Sequence, residues 1–280
     1  MSVLLLSCPD RPGIVAAVAG FLHTSGGNIV DADQHTDRAY GRFLQRVEFD
    51  LPDGVDADGF RRGFSELAGP LDMDWRLHTD DEIARIVILV SHQGHCLADL
   101  LGRSVMGELV GTVAAVVSNH TTHERLTARF DIPFRHLPVD PEDRRAQHAD
   151  LAHALDELQP DLIVMARYMQ ILPTVIIEQY RHRIINIHHS FLPAFVGAKP
   201  YHQAYERGVK LIGATAHYAT ADLDQGPIIC QDVGAVSHRD DVDRLIARGR
   251  DLEMVVLARA VQLHLGHRVL AYANRTVVFD

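Results

Sequence analysis

Short apolar runs and helix-period stripes give the chain two differently patterned parts. Residues 3–7 are an apolar run of strand length. Asp10-Arg11-Pro12-Gly13-Ile14 follows, with Pro12 placed where a first helical turn tolerates a missing N–H. Ile14, Val18, Phe21 and Leu22 fall at i, i+4, i+7 and i+8, one face of a helix. Gly26-Gly27 ends it. Asn28 to Thr36 and Phe43 to Phe49 predict two strands of a hairpin around the polar stretch Asp37 to Gly41. Phe60, Phe64 and Leu67 share a helix face, and Met73, Trp75 and Leu77 alternate as a strand does. This part therefore predicts β-α-β-β-α-β.

Asp80-Asp81-Glu82 is an acidic seam, which sets the expected domains at residues 1–82 and 83–280. Beyond it strands and helices alternate, the sign of a largely parallel sheet. Strands are expected at Ile86–Val90, Val113–Val117, Leu162–Met165, Ile184–Ile187 and Ile212–Tyr218. Helices are expected at Leu97–Leu109, Ala149–Leu158, Pro200–Arg207 and Val242–Leu265, the last stopped by Gly266. A hairpin from Arg268 to Phe279 turns at Asn274-Arg275. The predicted class is α/β, a small ferredoxin-like unit followed by a Rossmann-like, mostly parallel unit.

Composition narrows the function. Of 280 residues, 47% are hydrophobic and 23% charged, enough apolar surface for packed cores. Lys plus Arg is 27 against 37 Asp plus Glu, a net charge of −10, which argues against nucleic-acid backbone binding. Apolar runs stop far short of the ~20 residues a membrane span needs. The first residues lack a basic leader and read as a strand. Cys8, Cys96 and Cys230 are far apart, so neither a disulfide framework nor a zinc knuckle is expected, and a cytoplasmic setting is. There are 18 histidines but no HExxH, and no phosphate-loop motif, so no metal and no nucleotide cofactor is expected.

Candidate chemistry lies where strands of an open sheet end. In Ile185-Asn186-Ile187-His188-His189-Ser190, a two-residue period puts Asn186 and His188 on one side. The segment Ala221-Asp222-Leu223-Asp224-Gln225-Gly226-Pro227 ends in a tight turn that could hold a carboxylate at the mouth. Asn, His and Asp together suit addition to a carbonyl: two donors for the oxyanion, one carboxylate for the nucleophile. Taken alone, Asn-x-His in a strand is more often structural, and Asp before Gly-Pro is ordinarily a turn former.

Resemblance changes that balance. Asn186 to Pro193, Gly213 to Tyr218 and Leu223 to Ile229 together resemble the folate-dependent formyltransferase fold, and Ala166 to Leu172 resembles that family's folate-binding loop. Asp10 to Ile14 and Gly26 to Ile29 resemble an ACT regulatory domain. This order of domains, with His95-Cys96-Leu97, His188 to Phe195 and Lys199 to Tyr205, is similar to the formyltetrahydrofolate deformylase family over essentially the whole chain. The resemblance implies Asn186, His188 and Asp224 as the catalytic trio. It implies that Met169, Gln170, Ile171, Leu172, Ala221 and Asp222 hold the folate; His189, which strand alternation turns away from His188, is expected only in support. For the ACT unit it implies an amino-acid effector site at Asp10, Gly13 and Asn28, and pairing into a homo-oligomer. Folate is then the substrate and no cofactor is needed.

The transferase relatives carry a Gly-rich loop for the acceptor's phosphate. Here the equivalent Ser91-His92-Gln93-Gly94-His95-Cys96 has one glycine and bulky side chains, expected to fill the acceptor's space and leave water as nucleophile. The expected reaction is hydrolysis of 10-formyltetrahydrofolate to formate and tetrahydrofolate, in support of one-carbon and purine metabolism. The alternatives are transfer to another small acceptor, or an amino-acid sensor on a degenerate enzyme fold. Formylation of a charged tRNA lacks a basic surface and a C-terminal extension.

Overall fold

Period-two alternation in the first part becomes a sheet with one face on helices. The structure, a computed structural model, describes residues 1–51, 57–80, 82–140, 142, 144–193 and 200–279. Asp81 of the acidic seam and Ala194, Phe195 and Lys199 of the motifs lie outside the described residues. The first unit holds β1 (Ser2–Pro9), α1 (Ile14–Thr24), β2 (Asn28–Asp37), β3 (Arg42–Asp50), α2 (Ala57–Ala68) and β4 (Asp74–Thr79). Strand order is β2-β3-β1-β4, with every pairing antiparallel. Leu4, Leu6, Cys8, Val47 and Phe49 alternate toward Ile14, Val18, Leu22, Phe60 and Phe64 in one core. This is the expected ferredoxin-like β-α-β-β-α-β unit.

The second unit begins with β5 (Arg85–Val90), α3 (His95–Val105), β6 (Thr112–Ser118), α4 (Glu124–Ala128), β7 (Phe134–His136), α5 (Arg144–Leu158) and β8 (Leu162–Met165). It continues with α6 (Thr174–Gln179), β9 (Ile184–His188), α7 (Pro200–Arg207), β10 (Leu211–Tyr218), β11 (Ile228–Ala235) and α8 (Val242–Leu265). The sheet runs β11-β10-β9-β8-β5-β6-β7. Strands β5 to β9 are parallel, and β10 is antiparallel to both β9 and β11. The parallel strands are almost continuously buried, as strands covered on both faces are. From β5 the chain builds outward through β6 and β7, then returns to the other side of β5 with β8. That switch opens a crevice at the carboxyl ends of β5 and β8.

Helix α3 differs from its expected span, running His95–Val105. Gly107, at φ +74°, breaks it, and Leu109 is buried from the following loop instead. Strands β7 and β11 and helices α4 and α6 carry no pattern that sequence reading resolved; three of them have six residues or fewer.

The C-terminal hairpin, β12 (Val269–Tyr272) and β13 (Arg275–Val278), departs from the expected boundary. His267–Tyr272 and the chain from Val277 onward belong with the first unit rather than with residues 83–266. The reason is apolar. Leu270, Tyr272, Val277 and Phe279 pack on Leu5 and Leu44, which point to the sheet face opposite the helices. On that face buried Arg46 donates to the His267 carbonyl at 3.1 Å and to Glu48 at 2.8 Å.

Candidate active site

Strand β9 (IINIH) buries its isoleucines and turns Asn186 and His188 to one side. Antiparallel β10 sets His217 opposite Asn186 and Thr215 opposite His188. His217 Nδ1 donates to the Tyr218 carbonyl at 3.0 Å, and its Nε2 lies 3.3 Å from Asn186 Nδ2.

Asp224 arrives from a different direction than strand-end reasoning gives. Because β10 is reversed, the loop after it starts beside Ile184, at the amino end of β9 (Ala219 N–H to Ile184 O, 2.9 Å). It then folds back to bring Asp224 Oδ1 within 3.2 Å of His188 Nδ1 and 3.7 Å of His217 Nε2. The fold-back depends on two backbone features. Asp224 itself is left-handed, at φ +56°. A Cβ on Gly226 would stand 1.7 Å from the Tyr218 carbonyl oxygen, so only glycine fits there.

The His188 ring at 3.2 Å, and after it the nearby His217 ring, hold the Asp224 carboxyl well below the ordinary carboxylate range, against the opposing effect of burial. The carboxylate is 14% exposed and His188 is buried. The second ring nitrogen of His188, Nε2, is buried with no hydrogen-bond partner among the described residues. A ring anchored at Nδ1 by a carboxylate and bare at Nε2 can trade a proton with a bound group.

The residues expected to hold folate flank this row. Met169 to Leu172 follow β8, whose Met165 pairs with Asn186. The Met169 N–H donates to Ser91 Oγ at 3.0 Å. Met169 and Ile171 are exposed apolar side chains, Gln170 is half-buried and Leu172 is buried. Ala221 and Asp222 are exposed on the fold-back loop. In the first unit, Asp10 and Asn28 are exposed, and Gly13, at φ +93°, caps α1 in a conformation that favours glycine.

His189 lies beyond the end of β9, so strand alternation no longer applies to it. Its ring centroid is 5.0 Å from that of His188 and 6.2 Å from that of Tyr201. Burial first, and then the charge of Arg167, push its pKa down to about 4, so it is neutral near pH 7.

Sequence reading also missed a second polar group. Glu253 of α8 is 1% exposed. Its carboxylate receives the Tyr201 hydroxyl and His95 Nε2, each at 2.8 Å, and faces Arg167 Nε at 3.5 Å. Burial opposes its ionisation, but His95, Arg167 and Tyr201 together keep its pKa below the ordinary value. His95, Cys96 and Glu253 offer ligand-type atoms within 4.8 Å of one another. The Arg167 cation beside the carboxylate repels a metal ion, and burial pushes the Cys96 thiol away from ionisation, so this donor set does not fit one. His217 lies within the Gly213 to Tyr218 motif, the one signal that could have found it, whereas Glu253 is far in sequence from His95, Arg167 and Tyr201 and no local signal marks it.

The formyl transferase family model matches residues 84–261, and the ACT domain model residues 2–57. The formyltetrahydrofolate deformylase of Synechocystis sp. is 53% identical over 99% of this chain and 98% of its own length. The crystal structure of a formyltetrahydrofolate deformylase from Pseudomonas syringae superposes with a TM-score of 0.97 at 49% identity, covering 100% of this chain and 94% of that one. Glycinamide ribonucleotide transformylase 1 from Symbiobacterium toebii covers 71% of this chain and 95% of its own, at a TM-score of 0.66 and 33% identity.

Proposed function

The chain belongs to the formyltetrahydrofolate deformylase family and is an enzyme of that class, and from that premise we propose that Asp224, His188 and Asn186 carry the hydrolysis of 10-formyltetrahydrofolate to formate and tetrahydrofolate. The observation that carries this reading is the Asp224–His188 pair at 3.2 Å, with His188 Nε2 left bare beside Asn186.

The formyl group is an amide on N10. Its carbon resists water because nitrogen donates into the carbonyl, and because an amine anion leaves poorly. Asp224, held ionised, is a weak base; its part is to bind and orient a water and to stabilise a protonated His188. The water oxygen bonds to the formyl carbon. The oxygen that becomes negative is received by Asn186 Nδ2 and by His188 Nε2–H. The carbon–N10 bond then breaks as N10 takes a proton, from His188 directly or through water. A proton from the attacking water replaces on His188 Nε2 the one given to N10, and the product leaves as formate and a proton. His217 holds Asn186 and Asp224 in place.

The folate ring is held by Met169, Gln170, Ile171 and Leu172 on one side and by Ala221 and Asp222 on the other. The exposed apolar Met169 and Ile171 support this, since a planar ring would cover them. Folate is substrate, and the trio needs no cofactor. Asp10, Gly13 and Asn28 are the effector site for an amino acid. The uncovered edge strand β2 pairs with a second copy to give a homo-oligomer. We place the enzyme in the cytoplasm, supplying one-carbon and purine metabolism; no helix among the described residues is long and apolar enough to cross a membrane. The direct test is incubation with 10-formyltetrahydrofolate as the only organic substrate. Stoichiometric formate and tetrahydrofolate are expected, and failure to form formate would refute the reading.

A further inference from the structure

We infer that Arg167, Tyr201, His95 and Glu253 are specificity-determining residues: a dry internal plug that fills the half of the crevice beyond His189 and admits water, but no amine, to the formyl carbon. The inference rests on the hydrolytic reading above and adds the reason that the reaction stops at water.

Position comes first. Arg167 follows β8 directly and His95 opens α3 after β5, so both stand at the switch between these strands, where open α/β sheets take ligands. Tyr201 and Glu253 reach the same place from α7 and α8. The group continues to the catalytic row through ring neighbours, Tyr201 to His189 and His189 to His188. A second substrate approaching the formyl carbon from this side would have to displace it.

Charge and packing make the plug stable. The N-terminal end of an eleven-residue helix attracts anions. Here the chain supplies the anion itself, since Glu253 is bonded to the first side chain of that helix. Arg167 neutralises it from the other side and is tied in turn to Gln93 Oε1 at 3.1 Å. Tyr201 lies so close over α8 that a Cβ on Gly249 would stand 2.0 Å from its hydroxyl. Buried charge that is paired and hydrogen-bonded resists displacement, because removing one member strands the others. The loop Ser91 to Cys96, expected to fill this space by itself, contributes His95 and the Gln93 oxygen that meets Arg167, while the side chain of His92 is exposed.

The test is the fate of the formyl group when glycinamide, a primary amine, is offered with 10-formyltetrahydrofolate. Transfer would bond amine nitrogen to formyl carbon, break the carbon–N10 bond and pass one amine proton to N10, giving N-formylglycinamide in place of formate. Arg167→Gly is the chosen variant. Arg167 sits at φ +64°, where glycine is the unstrained residue, and Glu253 keeps His95 and Tyr201 as partners. Wild type is expected to give formate alone. The variant is expected to raise the ratio of formylated amine to formate by about tenfold or more, the scale on which lost pocket exclusion acts. Arg167→Lys, which still fills the space, is expected to keep the wild-type ratio. An unchanged ratio in an Arg167→Gly enzyme that still hydrolyses overturns the inference. So does a folded variant with no hydrolysis, which would assign Arg167 to the chemistry of water. Should circular dichroism show Arg167→Gly unfolded, Tyr201→Leu, which opens the end nearest His189, is read by the same two criteria. Absence of formate from wild type would refute the hydrolytic reading instead.

Discussion

Asp224→Asn isolates the charge at the centre of the proposed chemistry. Residue 224 has φ +56°, a region that Asn enters with less strain than most L residues, so the fold-back loop and Gly226 are undisturbed. What changes is electrostatic. The carboxylate that meets His188 Nδ1 at 3.2 Å, and lies 3.7 Å from His217 Nε2, becomes a neutral amide. A protonated His188 then has no counter-charge when the C–N10 bond breaks, and the water loses its acceptor. Loss of a positioned acid–base group costs about 10²–10⁴ in turnover, which is about 2.7–5.5 kcal/mol of barrier. Steady-state formate release measures kcat, and calorimetric titration with tetrahydrofolate measures binding. The expected result is kcat reduced by that factor with folate affinity preserved. Since the wild-type carboxyl lies well below its usual range, Asp224 should add no rising limb to the wild-type pH–rate profile above about pH 4. Turnover of Asp224→Asn within about threefold of wild type, far short of what loss of an essential group removes, would take the carboxylate out of the mechanism.

Asn186→Ala removes one oxyanion donor and is expected to lower kcat by about 10²–10³ with folate binding intact; a loss below tenfold in formate release would leave the oxyanion to His188. Gly226→Ala sets a methyl group 1.7 Å from the Tyr218 carbonyl oxygen. The turn must move, so a urea midpoint lower by the equivalent of about 2 kcal/mol or more is expected, together with loss of kcat through a displaced Asp224; unchanged kcat would show the turn does not set that carboxylate. His189 and His267, each half-buried, have pKa values lowered to about 4. A neutral imidazole in the folded state stabilises fully above the unfolded pKa of about 6.5 and loses that contribution as pH falls toward 4. Urea midpoints should therefore fall between those pH values, and a second-unit transition whose slope is the same in His189→Gln as in wild type would refute the assignment.

The elements of both units were legible wherever one face is buried and the period is regular. The stripe Ile14, Val18, Leu22 and the run Ile86 to Val90 have no competing reading. The hairpin at residues 269–278 was legible as a hairpin, but the membership of His267–Tyr272 and Val277–Phe279 in the first unit was not, because their partners Leu5 and Leu44 are more than 200 residues away. Asn186 and His188 could be placed on one side from strand geometry alone. His217 could not, since its position opposite Asn186 is set by the register of an antiparallel pair. Glu253 was hidden for a different reason. On α8 it is one acidic residue in a 24-residue helix rich in charges, and only its burial against Tyr201 and His95 separates it from a solvated surface residue.

The reversed strand β10 decides how the polar row of the site is assembled. A parallel strand in that place would start its following loop at the carboxyl end of β9, whereas the reversed strand delivers its loop to the amino end, from which Asp224 must be folded back. Reversed, the strand sets His217 against Asn186, and its loop carries Asp224 back over both. Yet three such groups do not distinguish water from an amine. Two donors and a carboxylate stabilise the same oxyanion whichever nucleophile attacks, and only contacts that differ between competing transition states discriminate. On the proposed reading the trio accounts for rate, and the choice of nucleophile must reside in what blocks approach. Among the described residues, the Glu253 group lies closest to that role. It is buried, internally neutralised, joined to the catalytic row through His189, and built by side chains from four separate segments that the formyl carbon need never touch.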